Sequence, residues 1–208
     1  MERVKNVREF RLSCPSPDTN HYADKPTFPV RLRYYSEDRI NPALALPKVS
    51  SQNRRYIPME VIDADVIAGS KLFLIPDISL YHFGVLTSNV HMAWMRTVCG
   101  RLKSDYSYAS NVVYNTFPWP EPTAQQRQKI EQTAQAILDA RALYPDSSLA
   151  DLYDELTMPP ELRKAHRQND MAVMQAYGFT KGSEAYKSEA ACVAELMQRY
   201  QKLCEEQK

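Results

Sequence analysis

Along the chain the spacing of apolar positions changes character at Phe117-Pro-Trp-Pro-Glu-Pro-Thr123. Before that seam lie short β-favouring runs punctuated by proline, which predict strands over Phe28–Tyr35, Ala43–Val49, Arg55–Val61, Lys71–Ile75 and Asn111–Phe117. One helix is expected among them: Ser88 caps it, Val90 to Val98 fill it, and Gly100 stands where a C′ glycine belongs. After the seam the period becomes helical. Thr123-Ala-Gln-Gln126 reads as a capping box, and Ile130, Ala134, Ile137 and Leu138 recur on one face until Pro145. Ser148–Asp151 predicts a second box before a short helix. Pro159-Pro160 open a third helix, with Leu162, His166, Asn169, Val173 and Tyr177 on one face and Gly178 at its end. A fourth starts at Ser183, with Val193, Met197, Tyr200 and Leu203 on its apolar side. The expected fold class is therefore α+β. A mixed or curled β-rich domain (residues 1–120) precedes a small all-α helical bundle (residues 121–208).

Composition narrows the class. The chain has 208 residues, 44% hydrophobic and 25% charged, which suits one large or two small globular domains. Every apolar run falls short of the roughly 18–20 residues of a membrane span, so no membrane partner is expected. The charged start MERVKNVREF lacks the apolar stretch of a signal peptide, which predicts a cytoplasmic protein; Met1 reads as a cloning start before mid-protein sequence. Cys14, Cys99, Cys192 and Cys204 are scattered without a CxxC pair, so reduced thiols are expected rather than zinc ligands or disulfides. The net charge of +1 conceals a split. Residues 1–120 carry 15 Lys and Arg against 11 Asp and Glu, and residues 121–208 carry 11 against 14. A basic front half suits a polyanionic partner.

Catalytic signatures are missing. Five glycines leave little room for a phosphate loop, and there is no Walker motif or nucleophile elbow. His21, His82, His91 and His166 are dispersed; His91 and His166 fall on predicted helices and suit packing. An amino-methyltransferase holds its flipped base with an Asn/Asp/Ser-Pro-Pro-aromatic tetrapeptide. Met158-Pro-Pro-Glu161 has the prolines without the acceptor or aromatic, and Asn115-Thr-Phe-Pro118 has the acceptor without paired prolines. No catalytic, cofactor-binding or metal-binding residue is assigned.

The informative stretch is Gly100-Arg-Leu-Lys-Ser-Asp-Tyr-Ser-Tyr108. As one extended strand it sends Lys103, Asp105 and Ser107 to one face and Leu102, Ser104, Tyr106 and Tyr108 to the other. Lysine donates to guanine O6 and N7, aspartate accepts from cytosine N4, and serine can do either, so the trio suits base edges in the major groove. Residues i and i+2 lie about 6.6 Å apart against roughly 3.4 Å per base-pair step, which puts neighbouring pairs in reach. The same alternation also fits a solvated strand face with a lysine–aspartate pair. Ser50-Ser-Gln-Asn-Arg-Arg-Tyr56 offers hydroxyls, amides and arginines for phosphates through Ser50, Ser51, Asn53, Arg54 and Arg55, to which Arg101 is added; a plain polar loop would look alike.

These segments resemble a known family. Pro47-Lys-Val-Ser-Ser-Gln-Asn-Arg-Arg-Tyr-Ile-Pro58, Tyr81-His-Phe-Gly84, His91-Met-Ala-Trp-Met-Arg96, Gly100–Tyr106 and Tyr114-Asn-Thr-Phe-Pro-Trp-Pro120 are similar to the target-recognition region of fused type II restriction–modification methyltransferases of the MmeI kind. Asp151-Leu-Tyr-Asp154, Met158-Pro-Pro160, Ala165-His166 and Ala176-Tyr-Gly178 resemble their C-terminal helical segment. The resemblance runs in order from about residue 28 to 178; it implies that residues 1–120 are a DNA target-recognition domain, with 1–27 a remnant of a preceding domain, and that double-stranded DNA is the partner. It also implies a parent enzyme with an adenine-N6 methyltransferase domain using S-adenosylmethionine, and an endonuclease region in family members. Neither domain lies in this chain, which is then expected to be inactive by itself and to use no cofactor of its own. The family's base-reading positions correspond to Lys103 with Asp105 for one base pair and Lys71 with Ser107 for another.

Two other readings compete. A helical-bundle adaptor would dock a protein through its front half and bind no DNA; a complete small enzyme would need the nucleophile, metal or cofactor signatures that are missing. Salt separates the first from DNA recognition, because counterion release makes DNA affinity fall steeply with ionic strength.

Overall fold

The computed structural model describes residues 2–24, 41–66 and 68–206. The strand expected over Phe28–Tyr35 lies outside them. Two compact units divide the chain at Ile40 and Asn41. The first contains helices α1 (Glu2–Leu12) and α2 (Pro17–Asp24), with the Arg8 Nε donating to the Ala23 carbonyl at 3.1 Å. Sequence reading had placed no helix there, because α1 has no apolar stripe and buries none of its residues.

In the second unit β1 (Ala43–Pro47) is the centre of a three-stranded antiparallel sheet, between β3 (Glu60–Ile62) and β4 (Leu72–Pro76). Ala43 to Leu46 are all buried, which is why this run carries no alternation. The expected single strand Ala43–Val49 is broken at Lys48, and β2 (Val49–Ser50) joins a different sheet. Lys48 links the two: its amide donates to the Lys71 carbonyl at 3.0 Å, and its carbonyl accepts from Tyr108 at 2.8 Å. Arg55–Val61 forms a strand only from Glu60, because Tyr56, Ile57 and Met59 turn into the core and Met59 N bonds Ile57 O at 3.0 Å.

Two helices follow where one was expected. Ser79 caps α3 (Leu80–Leu86) in a box whose second half is His82 rather than Glu or Gln, the form that marks a capping box in sequence. Ser88 caps α4 (Asn89–Val98) as expected. Gly100 is no helix stop: Cys99 is already extended, and Gly100 opens β5 (Gly100–Leu102), which pairs with β6 (Asp105–Ser107). The sheet order is β2-β6-β5, again antiparallel. Asn111–Phe117 is a run of turns rather than a strand, with Val113 N bonding Ala109 O at 2.8 Å and Asn115 N bonding Ser110 O at 2.9 Å.

The tail helices begin largely where their caps predict. Thr123 and Gln126 form both halves of the box that opens α5 (Ala124–Ala142); Ser148 caps α6 (Leu149–Leu152); Pro159 precedes α7 (Pro160–Ala176); and Gly178 ends it at φ 78°. The fourth helix divides at Ser188 into α8 (Glu184–Lys187) and α9 (Glu189–Glu206), where the Ser188 hydroxyl accepts from Ala191 N at 3.2 Å. These helices do not close a bundle on themselves alone. α5 and α7 pack on α3, and α9 packs on α4 with Trp94 against Tyr200 at 5.9 Å. Gly84 lets α3 approach closely: a Cβ there would stand 2.7 Å from Ile130 Cγ2 and 3.0 Å from Asn169 Oδ1. Asn169 Nδ2 donates to the Gly84 carbonyl at 2.7 Å across the same junction. The class is α+β, as the sequence suggested, with two small antiparallel sheets against a shared helical core.

Candidate nucleic-acid interface

β5 and β6 form a hairpin with the two-residue loop Lys103-Ser104, since Leu102 pairs with Asp105 and Gly100 with Ser107. The expectation of one continuous strand from Gly100 to Tyr108 is corrected here. Lys103 does not share a strand face with Asp105 by alternation; it stands in the turn at φ 57°, exposed. Two-residue hairpin loops need positive φ to match strand twist, and the loop lacks the Asn-Gly or Asp-Gly that signals one in sequence. Asp105 and Ser107 do share the outward face, half-buried, while Tyr106 and Tyr108 point into the core.

Asp105 ties this hairpin to the second candidate segment. Its Oδ1 accepts from the Gln52 amide at 3.3 Å, so the loop Ser51–Arg54 folds against the hairpin. Within the loop, Ser51 Oγ accepts from Asn53 N at 3.3 Å and the Ser51 carbonyl from Arg54 N at 3.1 Å. Asn53 and Arg55 are exposed, and Ser51 and Arg54 half-buried. Ser50 is a correction: it is only 4% exposed, paired through β2 with Tyr106, and its hydroxyl faces the interior, so it cannot meet a phosphate. Arg101 is exposed but engaged, its guanidinium 4.1 Å from the centre of the Tyr106 ring and donating to the Ser104 carbonyl at 3.1 Å. It closes the turn while its charge stays at the surface. Lys71 is exposed beside Lys48, on the opposite side of the Lys48–Val49 segment from Ser107.

The loop's underside is held by the helices. Arg55 Nε donates to Tyr56 Oη at 3.2 Å, and Tyr56 Oη donates to Asp170 Oδ2 at 2.7 Å. Asp170 Oδ1 accepts from Asn89 N at 2.8 Å, the first residue of α4. Burial pushes the Asp170 carboxyl up to about 6, against the hydrogen bonds that favour its charge, and burial also raises Tyr56. Arg96 Nη2 donates to the Arg55 carbonyl at 2.8 Å while its Nη1 pairs with Glu189 Oε2 at 2.9 Å. Tyr56 stacks on His166 at 4.1 Å, and His166 Nε2 meets Tyr153 Oη at 2.8 Å. Tyr153 accepts from Arg141, whose Nη1 donates to the Met59 carbonyl at 2.8 Å. Burial lowers His166 well below its usual value and His91 to about 4. Sequence reading missed Asp170, Arg141 and Arg96, because charged residues on a helix ordinarily mark its wet face. Asp170 lies four residues after His166, a spacing that puts it near the buried face.

Lysine and carboxylate thus stand at a hairpin tip, with the Ser107 hydroxyl on the outward face that Asp105 shares, beside a loop with two arginines and an exposed amide. The first set can read base edges and the second can meet phosphates. A family model described as the MmeI target recognition domain matches residues 1–121, and one described as the MmeI C-terminal domain matches residues 122–207. The chain belongs to the MmeI family. It is 38% identical over 204 residues, 98% of its length, to DNA methyltransferase A of Bacillus subtilis (strain 168). It also matches a solved structure of the type IIL restriction–modification enzyme MmeI in complex with DNA, with TM-score 0.84 and 43% identity over 98% of the chain. The chain spans 22% of the first relative and 26% of the second. No helix among the described residues is long and apolar enough to cross a membrane.

Proposed function

We propose that this chain is the sequence-reading module of a DNA methyltransferase of the restriction–modification type. The observation that carries it is the Gln52–Asp105 hydrogen bond, which brings the hairpin tip and the arginine loop into one patch. Lys103 and Asp105 read one G·C pair, the ammonium on guanine O6 and N7 and the carboxylate on cytosine N4. Lys71 and Ser107 read a second pair, and Ser51, Asn53, Arg54, Arg55 and Arg101 hold the DNA backbone. The helical tail positions the loop through Asp170 and Arg141. The partners are double-stranded DNA and the methyltransferase domain of the same polypeptide, in the cytoplasm. S-adenosylmethionine is the methyl donor of that domain, and no residue of this chain is assigned to it.

Titrating a fluorescent duplex at increasing salt tests the reading. Engagement of phosphates by the three backbone cations Arg54, Arg55 and Arg101 predicts a slope of log K on log salt of about −2.7, or roughly a 40-fold loss from 50 to 200 mM. A flat response, or no binding, contradicts it.

A further inference from the structure

The register places five residues on the outward face of the β2-β6-β5 sheet. Directly opposed residues of antiparallel strands point the same way, so Leu102 accompanies Asp105, while Gly100 and Val49 flank Ser107. Tyr106, opposite Arg101 and Ser50, faces the core. Two members of the outward face are aliphatic and wet: Leu102 is 57% exposed and Val49 40%. Charged side chains are a common way to blunt such edge positions, and these two carry none. Gly100 adds to the pattern. A Cβ there would meet nothing nearer than Ser107 at 3.9 Å, and its φ is not positive, so neither packing nor backbone demands glycine. Its missing side chain leaves the flank of Ser107 open to something approaching from outside.

We propose that Leu102 is a specificity-determining residue that contacts the C5 methyl of a thymine next to the base pair read by Asp105. This rests on the hairpin entering the major groove. There the thymine methyl is the apolar feature that an exposed aliphatic side chain can recognise. The Cβ atoms of opposed residues stand about 4.5–5.5 Å apart, and successive bases of a strand rise about 3.4 Å, so a side chain beside Asp105 falls on the neighbouring step. The Gly100 notch lets the sheet approach the bases closely enough for that contact.

The test uses a duplex selected by the chain from a random pool. Each thymidine is replaced singly by deoxyuridine, which removes the methyl and keeps O4. One replacement should weaken wild-type binding roughly 3- to 10-fold. L102A should bind the parent duplex weaker by a similar factor and be insensitive to that replacement, whereas L102M should retain sensitivity. L143A, another exposed leucine, should behave as wild type. Unchanged melting temperatures would show that the variants fold. If wild-type protein binds its selected duplex but no replacement matters, or if L102A remains sensitive, the inference fails and DNA reading stands. If no duplex is enriched, both fail.

Discussion

Lys103 sits at φ 57° in a two-residue turn, exposed, and no described side chain pairs with its ammonium. The left-handed conformation costs a non-glycine residue about 1 kcal/mol, and asparagine bears it more easily. Lys103→Asn therefore relieves part of that strain without the backbone entropy that glycine would add to the unfolded chain. In a domain of this size, a gain of about 0.5 kcal/mol raises Tm by roughly 1–2 °C. The same change deletes the charged donor proposed for guanine, a loss of about 1–3 kcal/mol, or roughly 5- to 150-fold in affinity for a G·C-bearing duplex. Stability and affinity should thus move in opposite directions, as for a strained residue retained for its contact. Calorimetric melting and fluorescence anisotropy on one preparation measure both. A fall in Tm, or an affinity that does not change, would refute the reasoning.

Three further outcomes follow from the packing and the charges. Gly84→Ala should lower Tm by a few degrees: overpacking against Ile130 and Asn169 costs about 1–3 kcal/mol and outweighs a gain of about 1 in helix propensity; a rise in Tm would contradict the close approach of α3. Buried His91 and His166 bind fewer protons folded than unfolded, so their contribution is lost as pH falls from about 6.5 towards 4. Asp170, raised to about 6, keeps its proton in the fold between about 4 and 6 and opposes that loss, so Asp170→Asn should steepen acid destabilisation in melts from pH 7 to about 5; a shallower profile would contradict this. Charge reversal at Arg54 and Arg55 should weaken binding alike on all duplexes, and a change in preferred sequence would reassign them to bases.

The caps and stops of the tail were legible because they act locally: Thr123 with Gln126, Ser148, Pro159 and Gly178 each do their work within one turn. Ser188 was not, since Ser183 offered an equally good start one short helix earlier. In the front half, register decides the structure, and register is a long-range property. Gly100–Tyr108 has the alternation of a single strand, and only its pairing back on itself makes Lys103 a turn residue. The Gln52–Asp105 bond, 53 positions apart, has no local signal. Nor has the burial of Ser50, whose polarity suggests a surface that β2 denies it. The candidate residues were found by chemical type; their arrangement comes from tertiary contacts.

The most direct test of DNA reading exchanges the charges at the hairpin tip. Random duplexes are selected on the wild-type chain and on the double variant Lys103→Asp, Asp105→Lys. If the ammonium reads guanine and the carboxylate reads cytosine, one position of the enriched sequence should change from G·C to C·G while the rest stays the same. An identical enriched sequence from both proteins would contradict the account, leaving Lys103 and Asp105 as surface charges without a part in base recognition.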